Sequence, residues 1–262
     1  MTRLGVVVPA FRPDVDWLES YLRDLEAELD PAALRVELDD PAAATLEALS
    51  ALEMSALEVD AVPYRRGKGA AVTAGFESLS TDRLAFADAD GSTPAAEVRR
   101  VVDALEEADV AVGSRRHPDA EVVGHRTFAR RFLGDGFAWL ARRLLAADLH
   151  DYQCGAKALT APTWAAVRDH LYEPGFAWDV ELAAMAAALD RTVAEVPITW
   201  EDRPGSTVSP VRTSLSMAKA LLVARHRAKR LGNSPLHDAL ARGEDPTALV
   251  DRPDDRGSHR RR

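Results

Sequence analysis

Phe86-Ala87-Asp88-Ala89-Asp90-Gly91-Ser92-Thr93-Pro94 is an apolar run that stops on two carboxylates two residues apart. Side chains alternate along a strand, so Asp88 and Asp90 can face the same side where the strand ends. Gly91 lets the chain turn, and Thr93-Pro94 is a helix start. Two carboxylates with a hydroxyl beside them suit a hard divalent cation that holds a diphosphate. An isolated Asp-x-Asp-Gly is more often a solvated turn. Its surroundings decide for the metal.

Those surroundings alternate short β-type runs with longer helical ones. Leu4 to Pro9, Ala33 to Leu38, Ala56 to Val62, Arg83 to Ala87 and Val110 to Gly113 read as strands. Helical patterns fall at Val15 to Leu29, 42 to 53, 69 to 79 and 95 to 107. This order predicts an α/β fold, Rossmann-like, with a mainly parallel sheet and helices on both faces. Ligands in such sheets sit beyond the carboxyl ends of the strands, which is where Asp39, Asp40, Asp88 and Asp90 fall. The second half is less regular. It reads as a basic helix from about 125 to 147, a polar turn from His150 to Lys157 and a helix from about 179 to 190. A strand from Thr192 to Ile198 and a helix from about 212 to 231 follow. Residues 1–231 are expected to form one domain, its nucleotide half at 1–115 and its acceptor half at 116–231. Residues 232–262, polar and nearly devoid of apolar side chains at the end, read as a disordered tail.

A chain of 262 residues, 47% hydrophobic, is long enough for one substantial core. The single cysteine, Cys154, excludes an internal disulfide and fits a reducing cytoplasm. No signal-peptide stretch follows Met1-Thr2-Arg3, and no window approaches the roughly 20 apolar residues that span a bilayer, so any membrane contact is expected to be peripheral. The net charge of −9 argues against a nucleic-acid partner.

Against that acidity stand two basic stretches. One carries Arg126, Arg130, Arg131, Arg142 and Arg143 among aromatic and leucine side chains; the other carries Arg212, Lys219, Arg225, Arg227, Lys229 and Arg230 without an acid. Basic amphipathic helices can lie among anionic headgroups, each cation contributing about 1 kcal/mol. The competing reading is a solvated basic face. Arg65-Arg66-Gly67-Lys68-Gly69, ahead of a small-residue helix, is a place where backbone amides and cations could track a phosphate, or merely a tight loop-to-helix start. It lacks the spacing and the hydroxyl of a P-loop.

Taken in order, Val7-Val8-Pro9-Ala10-Phe11, Gly67-Lys68-Gly69, Asp88-Ala89-Asp90-Gly91-Ser92-Thr93, Val112-Gly113-Ser114-Arg115, Asp151-Tyr152-Gln153-Cys154-Gly155-Ala156-Lys157, Phe176 with Asp179-Val180-Glu181, and Glu195-Val196-Pro197 through Pro204-Gly205-Ser206 resemble glycosyltransferase family 2. Within it the likeness is to dolichyl-phosphate glucosyltransferases and dolichyl-phosphate mannose synthases, over residues 3 to 231. The resemblance implies a GT-A fold and an inverting, metal-dependent transfer of a hexose, glucose from UDP-glucose, onto a polyprenyl phosphate at the inner face of the cell membrane. Rivals are a family 2 transferase acting on a soluble sugar or protein hydroxyl, and a non-catalytic nucleotide-sugar binder.

The resemblance also implies a set of sites. Asp88, Asp90 and Ser92 match the ligands of Mg²⁺ or Mn²⁺. Pro9, Ala10, Asp39, Arg65, Lys68, Gly69, Asp88 and Ala89 match the nucleotide-sugar pocket. Arg115, Arg126, Arg130 and Arg131 match positions for the acceptor phosphate, and Arg115 joins Asp88, Asp90 and Asp179 as catalytic candidates. Asp179 is the base if the acceptor is a hydroxyl, and otherwise reads as an acid at a helix start. Two stretches depart from the family pattern. Phe11-Arg12-Pro13 stands where Tyr-Asn-Glu is usual, displacing the acid to Asp14, and Asp39-Asp40-Pro41-Ala42 stands for Asp-Asp-Gly-Ser. The relatives often carry membrane-spanning helices, which this sequence lacks.

Overall fold

The computed structural model describes residues 2–123, 128–201, 210–240 and 246–252, with side chains described outside 128–135, 210–216 and 238–240. The first half runs β1 (Leu4–Phe11), α1 (Val15–Leu29), β2 (Ala33–Asp39), α2 (Ala43–Ser50), β3 (Leu57–Val62), α3 (Lys68–Glu77), β4 (Arg83–Ala87), α4 (Ala95–Asp103) and β5 (Val110–Ser114). The second half adds β6 (Glu121–Val123), α5 (Phe128–Leu144), β7 (Ala156–Thr160), α6 (Ala161–Val167), α7 (Trp178–Ala188), β8 (Val193–Pro197), β9 (Thr199–Glu201), α8 (Pro210–Leu231) and α9 (Pro235–Leu240).

A seven-stranded sheet has the order β3-β2-β1-β4-β7-β5-β8. All its pairings are parallel except those of β7, which runs antiparallel between β4 and β5. The pleat of β1 divides the interior. Val6 and Val8 join Leu18, Leu22, Val98 and Val101 of α1 and α4 on one face, while Val7 joins Phe76 of α3 and Trp178 and Leu182 of α7 on the other. A strand covered on both faces has to be apolar without interruption, and this one is. A second, two-stranded parallel sheet pairs β6 with β9.

The polar turn expected from His150 to Lys157 is corrected here, because its last residues enter β7. The sequence hides this strand: a five-residue segment with a lysine at its second position has no apolar run to mark it. Pairing of Ala87 with Ala156 sets the start of β7 beside the end of β4, so the loop from about 148 to 155 lies on the rim that carries Asp88. Within the stretch expected as a tail, the described residues hold structure. Pro235–Leu240 is helical, Ala248 and Leu249 are buried, and the Leu249 N–H donates to the Leu171 carbonyl at 2.8 Å. Ala248-Leu249-Val250 is an apolar patch in that stretch, and burying Ala248 and Leu249 ties the chain back to the domain. Among the described residues no helix is long and apolar enough to cross a membrane.

Candidate active site at the carboxyl ends of the strands

The turn after β4 is fixed from all sides. Gly91 has φ +60°, a left-handed conformation that favours glycine. Trp17 Nε1 donates to the Asp90 carbonyl at 3.0 Å, and the Tyr21 hydroxyl donates to the Thr93 carbonyl at 2.7 Å. The Ser92 N–H donates to Asp90 Oδ1 at 2.9 Å, while Glu201 N–H donates to the Ser92 carbonyl at 2.9 Å. Ser92 is buried; Asp90 is exposed, and the Asp88 side chain is 36% exposed. Gly155 lies against the Asp88 carboxylate so closely that a Cβ there would stand 2.2 Å from Oδ2.

Lys68, at the start of α3, places its ammonium 2.9 Å from Asp88 Oδ1 and 2.9 Å from Asp179 Oδ2. Lys157 of β7 donates to Asp179 Oδ1 at 2.6 Å and to the Cys154 carbonyl at 2.7 Å. The result is an alternating chain, Asp88, Lys68, Asp179, Lys157, running inward from the rim. Burial opposes the charge on Lys68, but Asp179 and Asp88 outweigh it and push its pKa up. Burial likewise opposes ionisation of Asp179, and Lys157 and Lys68 overcome it, holding this carboxyl below the usual range. Asp88 goes the other way: burial raises its pKa, Lys68 pulls it back, and Asp90 and Asp179 add like-charge repulsion. With both oxygens on ammonium groups, Asp179 is a weak base and a strong anchor for Lys68. Asp88, partly exposed and crowded by other carboxylates, is where an added cation relieves repulsion. The oxygen-only set of Asp88 and Asp90 therefore fits a hard divalent ion.

On the side expected to hold the nucleoside, Asp39 at the end of β2 spends both oxygens on the neighbouring loop. Arg66 Nε lies 2.7 Å from Oδ1, and the Gly67 N–H donates to Oδ2 at 2.8 Å. Arg66 also faces the buried Glu37 at 2.9 Å. Gly67 (φ +97°) and Gly69 are needed for packing, since a Cβ on either would meet the carbonyls of Pro174 or Glu173 at 2.6 or 2.5 Å. Ala70 N–H is spent on the Pro174 carbonyl at 3.1 Å. Glu181 braces that partner loop by accepting from the Tyr172 and Glu173 amides at 2.7 and 2.8 Å. Pro9 and Ala10 lie near the end of β1, and Arg65 stacks 4.2 Å from the centre of the Phe11 ring. The two departures from the family pattern meet each other: Arg12 and Asp40, both left-handed at φ 50° and 48°, form an ion pair at 3.2 Å. Asp14 serves as the N-cap of α1, accepting from Trp17 N–H at 3.1 Å.

On the other side of Asp88, Arg115 follows β5 and is gripped by Asp151 through Nε at 2.6 Å and NH2 at 2.9 Å. That bidentate contact outweighs burial in both partners, raising the arginine and lowering the carboxyl. Trp200 lies 5.7 Å from the guanidinium. Cys154 is buried, and burial pushes its thiol up to about 11. Arg126 lies outside the described residues, as do the side chains of Arg130 and Arg131. Of the other basic candidates, Arg142 and Arg143 are exposed on α5, where Arg143 stacks on the 53%-exposed Trp139. Arg225 and Arg227 of α8 are used internally, on the Leu144 carbonyl and on Glu181.

Lys157, Asp151 and Gly155 are not among the site residues expected from sequence, and Arg66, expected as a cation free to track a phosphate, is spent on Asp39 and Glu37. Asp151, Gly155 and Lys157 lie within one recognisable motif, but only β7 brings that motif against Asp88.

The sequence profile of Glycosyl transferase family 2 matches residues 36–159. A dolichyl-phosphate beta-glucosyltransferase of Mus musculus is 36% identical over 169 residues, 62% of this chain and 52% of that protein. Its counterpart in Homo sapiens is 32% identical over 169 residues, again 62% of this chain and 52% of the relative. This chain thus spans about half the length of the curated relatives it matches. Glucosyl-3-phosphoglycerate synthase from Mycobacterium tuberculosis, solved with Mn²⁺, UDP and glucosyl-3-phosphoglycerate, superposes with a TM-score of 0.63 at 17% identity, over 85% of this chain and 80% of that one. The likeness shows the GT-A fold.

Proposed function

We propose that this chain, a member of glycosyltransferase family 2 through its residues 36–159, moves glucose from UDP-glucose to a polyprenyl phosphate with inversion at the anomeric carbon. The observation that carries the reading is the charge chain ending on the partly exposed Asp88, with the Arg115–Asp151 pair beside it. One end suits a diphosphate and the other a second phosphate. The dolichyl-phosphate glucosyltransferases among its relatives support glucose and a lipid phosphate as the specific pair.

Asp88 and Asp90 would hold Mg²⁺ or Mn²⁺, which would supply positive charge for the leaving diphosphate. Lys68 supplies a second positive charge at a position set by Asp179, and Asp179 is itself held by Lys157. Charge fixed in advance in this way stabilises the leaving group without reorganisation during the reaction. Arg115 orients the acceptor phosphate. A phosphate monoester is already anionic near neutral pH, its second ionisation lying near 6. Its oxygen bonds the anomeric carbon as the bond to the diphosphate oxygen breaks, so an α-linked donor gives a β-linked product. No group need take a proton, which agrees with an Asp179 whose oxygens are both occupied. Trp139, Arg142 and Arg143 on α5 suit the headgroup layer of an anionic membrane, which would bring the lipid acceptor to the rim.

The test is incubation of the purified chain and Mn²⁺ or Mg²⁺ with polyprenyl phosphate and a panel of labelled UDP and GDP sugars. Label from UDP-glucose in butanol-extractable product is expected. Label that stays in water on a soluble hydroxyl acceptor sinks the lipid-phosphate reading, and label from another donor corrects the sugar.

A further inference from the structure

A second cluster stands on the far side of the Arg115–Asp151 pair and plays no part in the chemistry above. His117 follows β5, His150 precedes β7, and Glu195 lies on β8, where it is in register with Val112. One ligand atom from each of the three lies within 4.8 Å of the others. The imidazole rings meet edge to face with centroids 5.3 Å apart. The His117 and His150 side chains are 27% and 36% exposed and that of Glu195 only 9%, so the cluster is open to an entering ion on the imidazole side and held by the fold behind the carboxylate.

The ligand atoms are oriented from behind. Glu195 Oε1 accepts the backbone N–H groups of His150 at 2.7 Å and Asp151 at 2.9 Å. This leaves Oε2 aimed at His150 Nδ1, 2.7 Å away. Ser114 Oγ accepts from the His117 N–H at 3.0 Å and fixes the turn that presents His117. The Asp119 N–H donates to His117 Nδ1 at 3.2 Å and fixes the angle of that ring. Backbone amides behind the ligating carboxylate are an outer support of the kind that orients metal ligands.

We propose that His117, His150 and Glu195 form a transition-metal site that takes Zn²⁺ through two imidazole nitrogens and one carboxylate oxygen, separate from the oxygen-only site at Asp88 and Asp90. Two imidazoles with one carboxylate and an open fourth position is an established zinc coordination set, whereas Mg²⁺ favours oxygen alone. With bonds near 2.0–2.1 Å, tetrahedral ligand atoms lie about 3.3 Å apart, so binding opens the His150–Glu195 contact by roughly 0.6 Å, a small turn of the ring. The ion takes the place of the Nδ1 contact between those two groups, and a neutral His150 that ligates through Nδ1 carries its one ring proton on Nε2. The three ligands come from three separate segments, two of which also carry Arg115 and Asp151. Zinc therefore staples the rim on the acceptor side.

The test uses the full chain stripped by chelator and titrated with Co²⁺, followed by visible absorption, then competed with Zn²⁺. The expected result is a saturable ligand-field absorption at one equivalent per chain, displaced by Zn²⁺, with Zn²⁺ raising the melting temperature by a few degrees. His117→Ala and His150→Ala should each weaken binding by more than about 100-fold, since even outer supports are worth 10- to 100-fold. Asp88→Ala should leave the absorption intact. Absence of the absorption, its persistence in both histidine variants, or its loss in Asp88→Ala would each overturn the proposal. Should His150→Ala fail to fold, His117→Ala decides, because His117 stands on a half-exposed turn after the strand.

Discussion

The charge chain Asp88, Lys68, Asp179, Lys157 and the pair Arg12 with Asp40 are built from the same chemistry at the same edge of the sheet, but they sit at opposite extremes of burial. The Lys157 and Asp179 side chains are 0% and 2% exposed, whereas those of Arg12 and Asp40 are 71% and 45% exposed. In the first case each charge has lost its water and depends on its protein neighbours. In the second, water competes throughout, and the pair is worth between nothing and about 1 kcal/mol. Position in the sequence motif says little about which charge the fold depends on; depth below the rim says most.

That contrast can be broken at four points of falling effect. Lys157→Met strips Asp179 of one ammonium in a dry site, and urea unfolding should register a loss of about 3–5 kcal/mol. A loss below 1 kcal/mol would place Lys157 with the exposed pairs. Asp88→Ala should keep the fold, read by circular dichroism, while lowering transfer by roughly 10²- to 10³-fold; unchanged transfer would remove Asp88 from the donor site. Acid should separate the two regions further. Asp151 and Asp179 have lowered pKa values in the folded chain, so their stabilisation is complete above about pH 5 and is lost as pH falls through about 4 toward their folded values. Asp88 and Glu181 are shifted upward and act in the opposite sense. The difference in stability between the native chain and Asp151→Asn should therefore shrink below about pH 4; a constant difference would show that the Arg115 contact contributes nothing ionic. Arg12→Ala is the smallest change, expected to move stability by under about 1 kcal/mol and to lose that effect in high salt. A larger loss would mean that the two left-handed residues before Pro13 and Pro41 hold the loops together.

Much of the first half was legible because its elements are long, periodic and apolar. Val6, Val7 and Val8 cannot be anything but a strand covered on both faces, and the spacing of Leu18, Leu22 and Leu25 allows one helix face. The Asp88-Ala89-Asp90-Gly91 turn was likewise readable. Other readings shifted on contact with the fold. Gly67 and Gly69 serve close packing against Glu173 and Pro174, where sequence allowed anion approach or structure alike. Asp39 holds Arg66 and Gly67. Two of the five described cationic side chains of α8, Arg225 and Arg227, are spent on the Leu144 carbonyl and Glu181.

The sequence by itself determined the alternation of strands and helices, the carboxylates at the end of β4 and the resemblance to family 2, because hydrophobic periodicity and short motifs are local properties. Only the tertiary structure decided that β7 enters the sheet antiparallel, that Lys157 meets Asp179 across 22 positions, and that His117, His150 and Glu195 converge from three segments. Those facts depend on which distant strands pair and how deeply each charge is buried, and chain order does not encode distance.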